Sequence, residues 1–103
     1  MTITELDTRT QALLDRAASL LDAIGAAPAA TVPSDVVVRC LFAAESLEHA
    51  GGRATPTVLV DGDPAMTIRA AMTALSQLDF DTFHTAAVLA AARSARRALQ
   101  RLG

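Results

Sequence analysis

The segment Phe80–Leu102, FDTFHTAAVLAAARSARRALQRL, restricts the fold of this chain more than any other stretch. Seven of its residues are alanines, which lose no side-chain entropy on entering a helix. Asp79 and Asp81 stand where a carboxylate caps the first free N–H groups. Arg96, Arg97 and Arg101 stand where cations meet the negative end of the helix dipole, and Gly103 follows as a stop. At about 100° per residue, Phe80, Phe83, His84, Ala87, Val88, Ala91, Ala95, Ala98, Leu99 and Leu102 share one face, with Arg93, Arg96 and Gln100 opposite. One helix is therefore expected over 80–102. Its buried face is made mostly of small residues that let another helix come close, and Leu89 is expected to stand as a single exposed leucine.

The same periodicity recurs upstream. Thr4-Glu5-Leu6-Asp7 has the form of a capping box with Asp in place of Glu. Leu6, Thr10, Leu13, Leu14, Ala17, Leu20, Leu21 and Ile24 then make one stripe, while Asp7, Asp15, Arg16, Ser19 and Asp22 face away. This predicts an amphipathic helix over 4–24, ended by Gly25 as a C-terminal cap. GAAPAATVP, residues 25–33, is a connector. Ser34 is expected to cap a second helix over 35–50, closed by Gly51-Gly52, with Val36, Cys40, Ala43, Ala44 and Leu47 as its core stripe and Val37 and Leu41 widening it. Val38 and Phe42 fall on the other side, near Glu45 and His49. A helix apolar on two sides is central in its domain or shared with another chain. Three consecutive valines favour a strand locally, but the stripe continues to Leu47 and turn signals bracket a helical length.

Residues 53–63, RATPTVLVDGD, read as an extended crossing segment whose valines, Val58 and Val60, plug the core. The rival is a short strand paired with a second copy of itself. Asp61-Gly62 is a turn signal. Asp63 then caps and Pro64 takes the first helical position. Ile68, Ala71, Met72, Leu75 and Leu78 give a third apolar face over 64–78. The expectation is an all-α fold: a single compact four-helix domain over 1–103, with helices at 4–24, 35–50, 64–78 and 80–102.

Composition narrows the function. The 103 residues suit one domain with a small core. The net charge of −2 argues against a dedicated nucleic-acid binder, and no helix pair is joined by the short turn of a helix-turn-helix. The charge is uneven, because residues 82–103 carry four arginines and no acid, while all 11 acids lie before them. Cys40 is the only cysteine, so it has no internal disulfide partner. Glu5 and Asp7 break any secretory leader pattern, and no apolar run approaches the roughly 18–20 residues of a membrane span. The expected setting is soluble and cytoplasmic.

Candidates for chemistry are sparse. Glu45 and His49, and Asp81 and His84, pair a carboxylate with an imidazole on single helices. Bundles build metal sites from Glu-x-x-His motifs, but the first spacing here is Glu-x-x-x-His and no third inward carboxylate is offered. No metal or cofactor is expected. His84 reads as a partly buried ring bonded to a nearby acceptor, and His49 as a solvated residue at a helix end. Cys40 lies in the core stripe, where a thiol behaves as a small hydrophobe. Asp61-Gly62-Asp63 lacks the further oxygen ligands of a calcium loop and reads as a turn followed by a cap. No phosphate-cradling glycine loop, Gly-x-Ser-x-Gly elbow or zinc-spaced cysteine set occurs, so no catalytic residue is assigned.

The leading expectation is a small helical interaction protein. It self-associates as a homodimer through Val38 and Phe42, helped by Leu41, and docks an acidic protein partner on Arg93, Arg96, Arg97 and Arg101. The alternative is a helical small-ligand-binding module or minor enzyme with a pocket beneath Phe83 and His84, closed by Val58–Val60. A third reading, a nucleic-acid accessory role, predicts salt-sensitive retention on heparin.

Overall fold

A computed structural model describes the backbone of residues 3–27 and 32–102, and within them the side chains from Thr8 onward. Among the described residues five α-helices follow in order: α1 (Ile3–Gly25), α2 (Ser34–His49), α3 (Pro64–Ser76), α4 (Phe80–Phe83) and α5 (Ala86–Leu102), with a 3-10 turn at Val60–Gly62 before α3. No strand occurs among the described residues, and the fold is all-α. The side chains of the expected capping box at Thr4–Asp7, the stop at Gly103 and residues 28–31 of the connector lie outside what is described.

The stripes bury as their spacing requires. Leu14, Ala17, Leu20, Leu21 and Ile24 of α1 meet Val36, Cys40, Ala43, Ala44 and Leu47 of α2 in one core, completed by Ile68, Ala71 and Leu75 of α3 and Val88, Ala91, Ala95 and Ala98 of α5. The main helix contacts run α1–α2, α2–α5, α5–α3 and α3–α1, which closes a ring of four helices. Leu21, Ile24, Leu47, Ile68 and Leu75 are the largest fully buried side chains; each stabilises the fold by about 1.5–3 kcal/mol. The alanines contribute less individually, but they allow the helices to approach closely.

Helix ends depart from expectation in two places. Ser34 is the first residue of α2 rather than its cap; the cap position is Pro33, whose carbonyl accepts from the Val36 and Val37 N–H groups at 3.1 Å each. Gly25 ends α1, but not as a left-handed cap, because the positive-φ glycines are Gly51 and Gly62. Its lack of a side chain serves packing: a Cβ there would collide with the Leu41 side chain. Gly51 does take the expected role after α2. With φ at 104°, it donates to the Glu48 carbonyl at 3.0 Å while Gly52 donates to the Leu47 carbonyl at 2.8 Å, the paired bonds of a Schellman cap.

The helix expected over 80–102 is interrupted at His84-Thr85. The Asp79 carboxylate caps α4, accepting from the Thr82 N–H at 3.1 Å and the Thr82 hydroxyl at 2.6 Å. The Thr85 N–H then reaches back only three residues, to the Thr82 carbonyl, which also accepts from the Thr85 hydroxyl at 2.9 Å. Hydroxyls that compete for backbone groups in this way loosen a helix. The α-helical ladder resumes with Leu89 donating to the Thr85 carbonyl at 3.0 Å.

The crossing segment is held from outside the core. Gln11, Asp15 and Ser19 stand four residues apart along α1. Gln11 Nε2 donates to the Gly51 carbonyl at 2.8 Å, Asp15 Oδ1 accepts from the Arg53 N–H at 2.8 Å, and Ser19 Oγ accepts from the Thr55 N–H at 2.9 Å. Four helical residues rise about 6 Å and two extended residues about 6.6 Å, so the two periods match. Ser19, expected to face solvent, is consequently buried. Val58 does not plug the core: it is 83% exposed, whereas Leu59 and Val60 pack against the buried cluster.

Asp61 and Gly62 both take positive φ, 50° and 67°, and Asp63 donates to the Val60 carbonyl at 2.9 Å, the hydrogen bond of a type I′ turn. Asp63 then caps α3, accepting from the Ala65 N–H at 2.9 Å, with Pro64 in the first turn as expected. Fully buried Thr67 completes the junction, donating to the Asp63 carbonyl and accepting from the Val60 N–H, both at 2.8 Å.

Candidate functional site

Two of the surface features singled out in the sequence meet in one place. Val38 and Phe42 of α2 line a groove of about 430 Å³ together with Ala90, Arg93, Ser94 and Arg97 of α5, and Arg39 joins them. Val38 is 65% exposed and Phe42 54% exposed, so the groove opens an apolar surface to solvent. α2 and α5 pack against each other, and the small residues Ala43 and Ala44 of α2 and Ala91, Ala95 and Ala98 of α5 are all buried, while Val38, Phe42, Arg93 and Arg97 stay outside as walls. Buried Ser94 anchors the floor by donating to the Arg39 carbonyl at 2.9 Å.

The groove is electrostatically one-sided. Three arginines, Arg39, Arg93 and Arg97, line it, and among the described residues no Asp or Glu does. At its α2 start, Asp35 is already engaged, accepting from Arg101 Nε at 3.0 Å. That ion pair ties the end of α5 to the beginning of α2 and removes Arg101 from the lining set. Leu41 also stays out; its side chain packs against Gly25. Arg39, Ala90 and Ser94 were not singled out in the sequence. Arg39 had a signal, since it is flanked by Val38 and Phe42 on the same helix; the other two become visible only once α5 is laid against α2.

The expected pocket at Phe83 and His84 is only half present. Phe83 helps to line a second groove, of about 280 Å³, with Met72, Leu75 and Ser76 of α3 and Leu89, Ala92, Arg93 and Arg96 of α5. His84 does not line it. Its ring is exposed rather than partly buried, bonds the Phe80 carbonyl through Nδ1 at 2.8 Å and stacks on the Phe80 ring at 4.1 Å. Val58–Val60 do not close this groove. Leu89, expected as a lone exposed leucine, is half-buried in its wall. The arginines thus divide: Arg97 serves the first groove, Arg96 the second, and Arg93 stands between and lines both.

The remaining reactive groups are quiet. Burial pushes the Cys40 thiol up to about 12, so no thiolate forms near neutrality. His49 Nε2 lies 3.8 Å from Glu45 Oε1, with both side chains well exposed. Among the described residues no three or more His, Cys, Asp or Glu side chains gather as a metal site. No helix of the described chain is long and apolar enough to cross a membrane. Compared with family models, with curated protein sequences and with solved structures, the chain matches none, so the grooves themselves carry any functional reading.

Proposed function

We propose that this chain is a helical interaction protein whose α2–α5 groove receives an amphipathic, acidic helix of a protein partner. The observation that carries this reading is the composition of the groove: Val38 and Phe42 open to solvent, framed by Arg39, Arg93 and Arg97, without a carboxylate among the lining side chains. Docked helices lay an apolar face into a groove of this kind. Arginine and aromatic side chains are enriched where protein interfaces carry their binding energy, and guanidinium groups suit bidentate contacts with carboxylates. An acidic occupant also fits better than a second copy. A two-fold pairing centred on this groove would bring two sets of three guanidinium groups together, and like charges facing each other across an interface cost several kcal/mol. A single buried, reduced cysteine suits the cytoplasmic setting that belongs to this proposal.

The test compares partner capture from the source cells by the wild-type chain and by the R93E/R97E variant, followed by titration of the captured protein in purified form. The proposal expects a partner whose affinity falls at least tenfold on the double charge reversal and likewise on Phe42→Asp. A partner bound equally well by all three would overturn it. A concentration-dependent dimer in light scattering that Phe42→Asp abolishes would assign the groove to a second copy instead.

A further inference from the structure

We infer that the second groove, between α3, α4 and α5, is a binding site for a small amphipathic organic anion, with a medium-chain carboxylate as its ligand class. Its walls are apolar: Met72 and Leu75 on one side, Leu89 and Ala92 on the other, and the Phe83 ring at the α4 end. At about 280 Å³ it lies just below the usual ~300–1,000 Å³ of small-molecule sites, which suits a short apolar tail. Met72 is half-buried, and its unbranched, polarizable side chain adapts to a flexible tail. Arg93 and Arg96 supply the polar end, and among the described residues no Asp or Glu lines the groove to neutralise them. Ser76, also on the lining, spends its hydroxyl proton on the Thr73 carbonyl at 2.6 Å, so it adds no donor and the headgroup is left to the guanidinium groups. Charge-assisted bonds from arginine to a carboxylate are short and strong.

The position of Phe83 comes from the break in the last helix. Because the ladder is interrupted at His84-Thr85, the turn carrying Phe83 is free of the α5 axis, and its main contacts are with α5. The site is separate from the α2–α5 groove, sharing only Arg93 with it.

The experiment titrates octanoate into the full chain and follows the methyl resonances of Met72 and Leu89, with acetate and octanol as comparators. The inference expects saturable octanoate binding, with acetate and octanol at least tenfold weaker. Arg96→Gln should lower octanoate affinity at least fivefold, whereas Arg97→Gln, which removes the same charge from the other groove, should change it less than twofold. Ala92→Phe, which fills the cavity, should abolish binding. Absence of saturable binding at millimolar octanoate would overturn the inference. So would octanol binding as tightly as octanoate, or equal losses in the Arg96 and Arg97 variants, which would mark a general field effect. Arg96 is exposed, so its variant remains informative if the filled variant does not fold. Partner capture through the first groove is read separately, by Phe42→Asp, and can fail or succeed without affecting this result.

Discussion

The Ser94 hydroxyl donates to the Arg39 carbonyl across the α2–α5 contact, at 2.9 Å. A helix carbonyl already accepts from its own helix, so this second bond fixes how α5 sits along α2. Arg93 and Arg97, one position before and three after Ser94, take their places beside Val38 and Phe42 as a result. Ser94→Ala is expected to cost about 0.5–1.5 kcal/mol, because the carbonyl keeps its helical partner and no group is orphaned. The midpoint of urea unfolding measures it; an unchanged midpoint would remove the bond from the account.

Asp15→Ala should loosen the crossing segment. It removes the acceptor of the Arg53 N–H and a partner of Gln11 Nε2, bonded at 2.8 and 2.7 Å. The contact is exposed, so the global loss should be about 1 kcal/mol or less. Hydrogen exchange at the Arg53 amide should accelerate at least tenfold, while core amides such as that of Ile68 follow only the global change. Equal acceleration throughout would contradict a local tether.

The Cys40 thiol is fully buried and raised from 9.0 to about 12 by desolvation. Its reaction with a thiol reagent at pH 8 should require unfolding, and so run far slower than that of an exposed thiol and recover the exposed rate in denaturant. The linkage has a definite sign. The folded chain holds this proton more tightly than the unfolded one, so stability is intact below pH 9 and falls as pH rises from 9 toward 12. Rapid second-order labelling of the native protein would show the thiol to be accessible.

Asp79 behaves in the opposite sense. Hydrogen bonds from the Thr82 hydroxyl and N–H hold its carboxyl below the ordinary 3.8. The stabilisation is therefore full above that value and is lost as pH falls through the lower, folded one. Asp79→Ala should abolish this acid sensitivity and speed exchange at the Thr82 amide under neutral conditions. Because the carboxylate is exposed, the effect should stay confined to α4. An acid response of Thr82 that survives Asp79→Ala would point to another group.

Much of the fold was legible because burial in a helix follows periodicity. Leu14, Ala17, Leu21, Val36, Cys40, Ile68, Ala71, Ala91 and Ala95 are buried where their spacing places them. Local backbone chemistry was legible where one residue type satisfies it: Asp63 and Pro64 at the start of α3, Gly51 at the end of α2, and Asp61-Gly62 in the turn between. Ser34 and Gly25 misled for a common reason. Each has a residue type suited to a cap, but Pro33 supplies a carbonyl to the first turn of α2, and Gly25 is needed to make room for Leu41. Thr82 and Thr85 hid a helix break because helical periodicity does not register a hydroxyl that bonds the capping carboxylate, as Thr82 does, or a backbone carbonyl, as Thr85 does.

The sequence alone determined most of the core stripes and that the chain is helical, since both depend on spacing within single segments; Ser19, Val58 and Phe80 are where tertiary packing reversed the expected exposure. It also marked Val38, Phe42 and the α5 arginines as unusual surface. Only the tertiary structure decided that Val38 and Phe42 share a groove with Arg93 and Arg97, that Arg101 is engaged by Asp35, and that Arg96 looks into a different groove. Those relationships depend on the angle and register at which α5 lies on α2 and α3, which arise from contacts between residues as far apart as Arg39 and Ser94 and have no counterpart in local periodicity.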